Sequence, residues 1–413
     1  MVGTEAEAQA LQRAWLAVSE QPLRVTALAE ADTPHTADVF DDGEISKRHD
    51  LLLFAARETG NLQIASQLRR AQIDSASSAP DDAMTDATSV PIALESGISQ
   101  YAGQQIGVAL GSAHPVLLRH DSASELGGLP DWEAYGQAVA ALPAGKSAEP
   151  LADGWAVWAL LHRANGYSGS QWLFSGDLMR PLLPTAPYLR ALQELQRDAR
   201  RYPETRMTPG QVWQAAVAAE LELAIAWPQF TQDIVAQTTV EVDMIPQASQ
   251  VFQPRDGSWQ TVDPQYRSDW VLLMGNEPLV SLARGCRQTA ASERFLRWLD
   301  RGEAASALAS VSPRFVGSHD MEVPYAATDK TLQGYDRLVR QALRSSFGRT
   351  VMRLPGARDY LAALDRQVVA VLAGDRTPEE ALVAAAEQWE EITESLGRRQ
   401  QATHWRLAQG MSH

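Results

Sequence analysis

The chain has 413 residues, of which 45% are hydrophobic and 21% charged, and it carries a formal net charge of -15. That length exceeds one typical core and favours two or three domains of a soluble globular kind. The negative charge argues against nucleic acid or an anionic membrane surface as partner, no apolar run approaches the roughly 18 to 20 residues that cross a bilayer, and the single Cys286 excludes an internal disulfide or a multi-cysteine metal site.

Ala10, Leu11, Ala14, Trp15 and Val18 share one helical face, and after Pro22 the run Leu23 to Leu28 reads as a strand. His49 to Phe54 is a short apolar strand passing into a helix over Ala55 to Leu62. Ser75 to Ser89 is polar and low in complexity, which predicts an exposed loop or a disordered insert. Between Ile106 and Asp121 two β-rich runs flank a break of small residues. The turn residues from Gly127 to Asp131 lead into a helix near Trp132, and Gly154 to Tyr167 reads as a helix with a glycine stop. Leu189, Leu192, Leu195 and Ala199 pack the helix after it.

The stretch Thr208 to Phe230 changes its hydrophobic period halfway. Val212, Ala215, Ala216 and Ala219 recur at helical spacing, whereas Leu221, Leu223, Ile225 and Trp227 alternate with Glu220, Glu222, Ala224 and Ala226 as in a half-buried strand. Pro228 cannot donate a ladder hydrogen bond, so pairing should stop there and leave Trp227 at the strand's carboxyl end, the rim where open α/β sheets bind ligands. Thr238 to Ile245 and Trp270 to Met274 read as further strands, separated by a polar region containing Asp256-Gly257-Ser258-Trp259. Phe295, Leu296, Trp298 and Leu299 mark a helix. At the C-terminal end Leu361, Leu364, Val368 and Val371 form a helical stripe that Gly374 stops; Thr377-Pro378-Glu379-Glu380 starts the next as a capping box, and Gly397 ends it.

Enzyme motifs fare poorly. Gly166-Tyr167-Ser168-Gly169-Ser170 has Ser where a nucleophile elbow needs Gly and follows a helix instead of a strand. The sequence has no phosphate-binding Gly-Lys-Ser/Thr loop and no His-Glu-x-x-His zinc helix, and its eight His lack ligand spacing. No cofactor is called for.

In order along the chain, these segments resemble the sugar-binding family of extracellular solute-binding proteins of ABC importers, which includes maltose-binding protein. The resemblance rests on helix, small-residue turn and strand ending in Ala224-Ile225-Ala226-Trp227-Pro228, on Arg119-His120-Asp121 after a crossing strand, on the Phe295-Leu296-x-Trp298-Leu299 helix, and on the closing Gly374-x-x-Thr377-Pro378-Glu379-Glu380-Ala381-Leu382. The family's Gly-Lys turn is replaced by Ala218-Ala219-Glu220.

The resemblance implies a two-lobed, type II periplasmic-binding-protein-like α/β fold, with doubly wound sheets, discontinuous lobes and a hinge. Residues 1–118 and 270–317 would form lobe one, and 119–269 with 318–413 lobe two. The family opens with a strand of which only Met1 and Val2 remain, so the chain is expected to start inside strand one, and the resemblance implies an export signal that was removed or lies upstream of Met1, with lipid anchoring left open. The implied function is non-catalytic: a monomer outside the cytoplasm captures a small solute, chiefly a carbohydrate, between its lobes and presents it to an ABC permease. A carbohydrate-processing enzyme or a ligand-sensing module using the same cleft is the alternative.

By the same resemblance Phe54, Arg57, Glu58, Ser112, His114, Trp155 and Trp227 would contact the ligand, with Trp259 and Trp270 as further aromatic candidates. Read on their residue types alone, Phe54 is equally a core residue, Arg57 and Glu58 a solvated ion pair, and His114 a satisfied structural histidine. Twelve Trp against eight Phe suits a carbohydrate, whose C–H face stacks on indole, although Trp15, Trp298 and Trp389 read as core. One stacked ring gives at most roughly 4 to 6 kcal/mol gross.

Overall fold

The structure, a computed structural model, describes residues 3–27, 44–64, 66–70, 90–120, 128–169, 171–229, 240–263, 270–319, 330–344 and 347–410. The expected polar loop from Ser75 to Ser89 and the remnant Met1-Val2 lie outside them.

Two separate sheets organise the chain. In the first, the six-residue strand Pro278–Ala283 is buried along its whole length. It pairs antiparallel with Leu51–Ala55 on one side, and with the short strands Val108–Ala109 and Leu68–Arg69 on the other. The helix Thr289–Asp300 packs on this sheet and holds Phe295 and Trp298 against Trp15 of the N-terminal helix Glu5–Leu16, with ring centroids 5.2 Å apart in both pairs. The second sheet runs in the order Val240–Asp243, Val116–His120, Leu223–Ala226, Ser147–Ala148, with only the last pair parallel. Helix Pro209–Val217 packs on its Leu223–Ala226 strand, and Ala156–Tyr167 packs against Ala186–Ala199. The C-terminal helices Ala357–Ala373 and Pro378–Ser395 close over that pair.

The chain crosses from the first sheet to the second between Ala109 and Val116. The Leu110 N–H donates to Pro278 O at 2.8 Å and the Ser112 N–H to Val316 O at 3.0 Å, which fixes the crossing at two points. Gly111 between them has φ +136, and a Cβ there would lie 2.4 Å from the Phe315 backbone, so the crossing requires glycine. The sequence-based boundary at Leu118 falls inside Val116–His120, a strand whose partners all belong to the second sheet. The strand Trp270–Leu273 joins neither sheet. It pairs in parallel with Phe347–Thr350, and this ribbon touches both helix Ala156–Tyr167 and the Ile92–Leu94 turn.

Several local expectations change. Leu23 to Ala27 keeps the strand-like alternation of burial but is assigned no strand, while Leu28 lies outside the described residues. The segment after Leu51–Ala55 is a 3₁₀ turn, Ala56–Glu58, followed by a short helix, Thr59–Ile64. Leu223–Ala226 is buried on both faces instead of one, because the alternate residues Ala224 and Ala226 are small enough to be covered. Gly166 does not stop its helix. It sits in the last turn of Ala156–Tyr167, where a Cβ would come within 2.6 Å of the Ala248 Cβ, so its role is close approach. Lys330–Leu343 and Arg398–Ala408 are helices that the sequence reading did not identify.

Candidate functional site

One rim of the second sheet lies at the carboxyl end of Leu223–Ala226. Ala226 pairs with Val116, so Trp227 emerges beside the crossing segment that carries His114 and Pro115. On the other side of Val116–His120, Asp243 pairs with Leu117, which brings the following Met244 to Ala248 segment to the same rim. Helix Ala156–Tyr167 adds Trp155 at its amino end. The Asp365 carboxylate accepts the N–H groups of Gly154 at 2.7 Å and Val157 at 2.9 Å, satisfying donors that a helix start leaves free. Burial raises the Asp365 pKa, against the lowering effect of those two backbone bonds. So anchored, Trp155 meets Trp227 edge-to-face at 5.5 Å, and both rings are buried.

A cavity of about 170 Å³ borders the crossing segment at His114. Its walls come from His114 of the crossing, Trp132, His162, Asn165 and Gly166, the Met244 to Ala248 segment, Val271 and Leu272 of the ribbon, and Gln341 and Ala342 of helix Lys330–Leu343. The His114 and His162 rings lie 6.1 Å apart at 82°. Burial pushes the His114 pKa down to about 4. Burial, then the neighbouring His114 and Arg163, hold His162 well below the ordinary value. Both imidazoles are therefore neutral near pH 7. The His114 N–H of the backbone donates to the Tyr335 hydroxyl at 3.2 Å, but among the described residues His114 Nδ1 and His162 Nε2 have no hydrogen-bond partner.

The Met244 to Ala248 wall is fixed by main-chain bonds. Gln247 N–H donates to Pro130 O at 3.1 Å and Trp132 N–H to Gln247 O at 3.2 Å. The Asp131 carboxylate caps the helix Trp132–Ala141 by accepting the Ala134 N–H at 2.9 Å. Asn165 is held by Arg349, whose Nη1 donates to its backbone oxygen at 2.9 Å and to Oδ1 at 3.1 Å; burial lowers the Arg349 pKa to about 10.

The remaining candidates fall into other neighbourhoods. Phe54 is fully buried in the first sheet. Arg57 and Glu58 are a buried pair, not a solvated one, 3.4 Å apart. Arg57 also donates to the Asn276 side chain, and its N–H to Gly275 O at 2.9 Å, while Glu58 accepts from Arg358 at 2.9 Å and Asn61 at 3.2 Å. Ser112 donates to Glu277 at 3.2 Å; burial raises the Glu277 pKa. Arg57 and Ser112 thus meet at the turn formed by Gly275 to Glu277, joining the first sheet to the crossing. Trp259 lies on the hairpin Gln250–Gln253/Ser258–Thr261, half-buried between Phe252 and Tyr167, with the Arg190 guanidinium 4.8 Å above it. Trp270 opens the parallel ribbon opposite Phe347. Of the nine candidates, His114 is the one found among the described wall residues of the cavity. Trp132, His162, Asn165, Gln247 and Gln341 were missed, since nothing in their local spacing connects them.

No family model matches the sequence, and no curated protein is significantly similar to it. Solved structures define the fold class: the chain has the two-lobed α/β fold of ABC substrate-binding proteins. It resembles the sugar-binding protein MalE from Xanthomonas citri with a TM-score of 0.65 at 12% identity, covering 96% of each chain. An ABC substrate-binding protein from Listeria monocytogenes in complex with cycloalternan gives 0.61 at 13% identity, over 96% of this chain and 97% of that one. A solute-binding protein from Agrobacterium vitis with bound D-mannitol gives 0.58 at 14% identity, over 90% and 92%. These neighbours are binding proteins, and no helix among the described residues is long and apolar enough to cross a membrane.

Proposed function

We propose that this chain is the solute-binding component of an ABC import system, capturing a small carbohydrate between its two lobes outside the cytoplasm and presenting it to a membrane permease. The observation that carries the reading is positional. In a fold shared with sugar- and polyol-binding proteins, an aromatic pair and a polar-lined cavity both border the segment where the chain crosses between its two sheets. Lobe one takes the first sheet and lobe two the second, with the crossing at Leu110 to Pro115 and the Trp270–Leu273 ribbon as the hinge. Contacts from both lobes exist only in the closed form, so ligand shifts the open-closed population toward the form a permease recognises. The chain acts as a monomer and releases its solute unchanged.

The test is a thermal-shift screen of the purified protein against mono- and oligosaccharides, polyols, sugar phosphates, polyamines and amino acids. Ligand at about a thousand times its Kd adds roughly 4 kcal/mol, enough for a clear rise in melting temperature. A shift with one carbohydrate class, and recovery of that compound unaltered after incubation, is the expected result. Turnover of the compound, or a cooperative melt that no carbohydrate moves, would remove the reading.

A further inference from the structure

Glu58, which the sequence resemblance assigns to the ligand, is engaged by a residue from the far end of the chain. Its carboxylate accepts from Arg358 Nε at 2.9 Å and from Asn61 Nδ2 at 3.2 Å, and the Glu58 side chain is almost completely buried by these contacts. Glu58 closes the 3₁₀ turn Ala56–Glu58 that follows Leu51–Ala55 of the first sheet. Arg358 lies in the first turn of helix Ala357–Ala373, which packs on the helices Ala156–Tyr167 and Ala186–Ala199 beside the second sheet. The ion pair therefore joins one lobe to the other.

Two further contacts align it. Asn61 uses both ends of its side chain, since Nδ2 donates to Glu58 while Oδ1 accepts the Gly356 N–H at 3.2 Å. Gly60 lies so close to the passing chain that a Cβ would come within 2.5 Å of Arg353 O and of Leu354 C, so backbone meets backbone there. Arg353 in turn donates to Ile98 O at 3.0 Å and to Gln100 O at 2.6 Å. Residues 353–358 thus lead from the ribbon strand Phe347–Thr350 into the second lobe while docked along the first. Asp365, seven residues after Arg358 and on the same face of the helix, holds the helix start at Trp155. A largely buried pair is weakly screened by salt, and removing one member leaves the other's desolvation uncompensated. Placed between two bodies that move against each other, such a pair biases their arrangement.

We propose that Glu58 and Arg358, aligned by Asn61 and Gly60, form an inter-lobe brace that holds the lobes together before solute arrives. The proposal rests on the solute-binding reading and adds its regulation: affinity scales with the population of the competent form, which the brace raises in advance of binding.

Hydrogen exchange and small-angle X-ray scattering of the full chain without solute test it, on Glu58→Gln, Arg358→Met, the double variant and Arg358→Lys. The Gly356 amide, bonded across the lobes to Asn61, should exchange roughly fivefold faster in either single variant and no faster again in the double, with partial recovery in Arg358→Lys. The radius of gyration should rise in the same variants. The Gly154 and Val157 amides, bonded to Asp365 within the second lobe, should keep their rates, which separates a loosened brace from general destabilisation. Asn61→Ala removes the acceptor itself and fixes the rate of an unbonded Gly356 amide. Should Glu58→Gln fail to melt cooperatively, Arg358→Met carries the test, because Glu58 there keeps Arg57 and Asn61 as partners. Unchanged Gly356 exchange or an unchanged radius in Arg358→Met, or acceleration that reaches Gly154 and Val157 equally, overturns the brace. No solute enters these measurements, so their failure leaves the solute-binding reading intact, and failure of every sugar to bind removes only the effect of the brace on affinity.

Discussion

His162 and Arg163 are consecutive residues of one helix, both buried, and they enter opposite kinds of polar environment. Arg163 donates from both terminal nitrogens to Glu149, at 2.6 and 2.5 Å, reaches Asp198 at 3.3 Å, and lies 4.2 Å over the Trp132 ring. Burial disfavours its charge, but the two carboxylates outweigh that and raise its pKa. His162 lies on the cavity wall, neutral, with a buried ring nitrogen that has no hydrogen-bond partner among the described residues. Trp132 belongs to both, carrying the guanidinium and lining the cavity. The difference teaches how one buried helix carries two kinds of polar group: a charge is kept where the protein supplies its own counter-charges, and a histidine is held neutral where burial and a neighbouring cation oppose its protonation.

That division is broken most directly at its charged side. Arg163→Met leaves Glu149 and Asp198 buried without their shared cation, and removing one member of a buried ionic cluster typically costs about 3 to 5 kcal/mol. Chemical denaturation should show a loss of that size, with the sugar Kd unchanged at temperatures where the variant is folded. A loss under about 1 kcal/mol would mean that the cluster contributes little and that the contrast with His162 is empty.

The neutral side is probed by acid. His114 has a folded pKa of about 4 against an ordinary 6.5, so between those values the unfolded chain takes up a proton that the folded chain refuses. Stability through this group is therefore complete above about pH 6.5 and falls as pH drops toward 4, by an amount on the order of 3 kcal/mol. His162 acts with the same sign, whereas Asp198, Asp365 and Glu277, whose pKa values burial raises, act oppositely. The informative quantity is thus the difference between the protein and His114→Gln. Denaturation midpoints at pH 7 and pH 4.5 should lie closer together in the variant; equal spacing would show that His114 is solvated.

Trp227 lies between these cases, since packing and ligand contact can both act through it. Its burial against Trp155 makes Trp227→Ala a cavity mutation that confounds the two, so Trp227→Phe is the sharper change. It keeps an aromatic edge and should cost about 1 to 2 kcal/mol of stability. A tenfold rise in Kd on top of that would place the aromatic pair at the ligand, and an unchanged Kd would confine recognition to the cavity.

Much of this architecture was legible because it is local. The Thr377 capping box, the helical stripes after Thr208 and Thr377 and the strand leading to Trp227 all form where spacing predicts. The site was legible only in part. Trp155 and Trp227 were each singled out by position at an element's end, but their contact depends on Asp365 fixing a helix start from another part of the chain. His162 looked like one more residue on a buried helix, and only the sheet-to-sheet crossing puts His114 beside it. Arg57 and Glu58 read as either ligand contacts or a solvated pair, because their partners Asn276 and Arg358 are distant in sequence. The helix Lys330–Leu343 had the spacing, with Leu332, Tyr335, Val339 and Ala342 buried, but went unread within a polar stretch.

The smallest expected effect calibrates the others, because it changes stability at a residue that does not line the cavity. The Ala218-Ala219-Glu220 turn replaces the Gly-Lys of the family it resembles, and Ala219 adopts φ +59 there. The Glu220 N–H reaches back to Ala215 O at 2.9 Å and the Ala219 N–H to Ala216 O at 3.0 Å, the paired bonds of a Schellman helix end. That motif puts its left-handed residue at the Ala219 position, where a Cβ costs about 1 to 2 kcal/mol. Glycine removes this cost and loses roughly 0.5 to 1 kcal/mol to the greater freedom of the unfolded chain. Ala219→Gly should therefore stabilise the protein by about 0.5 to 1 kcal/mol and leave the sugar Kd untouched. Ala218→Gly, one residue earlier at φ -84, gains no relief and should destabilise by about 0.5 kcal/mol. Opposite signs from neighbouring identical substitutions would tie the effect to backbone geometry, and a Kd that followed either one would mean that stability leaks into the binding measurements on which the comparison of His162 with Arg163 depends.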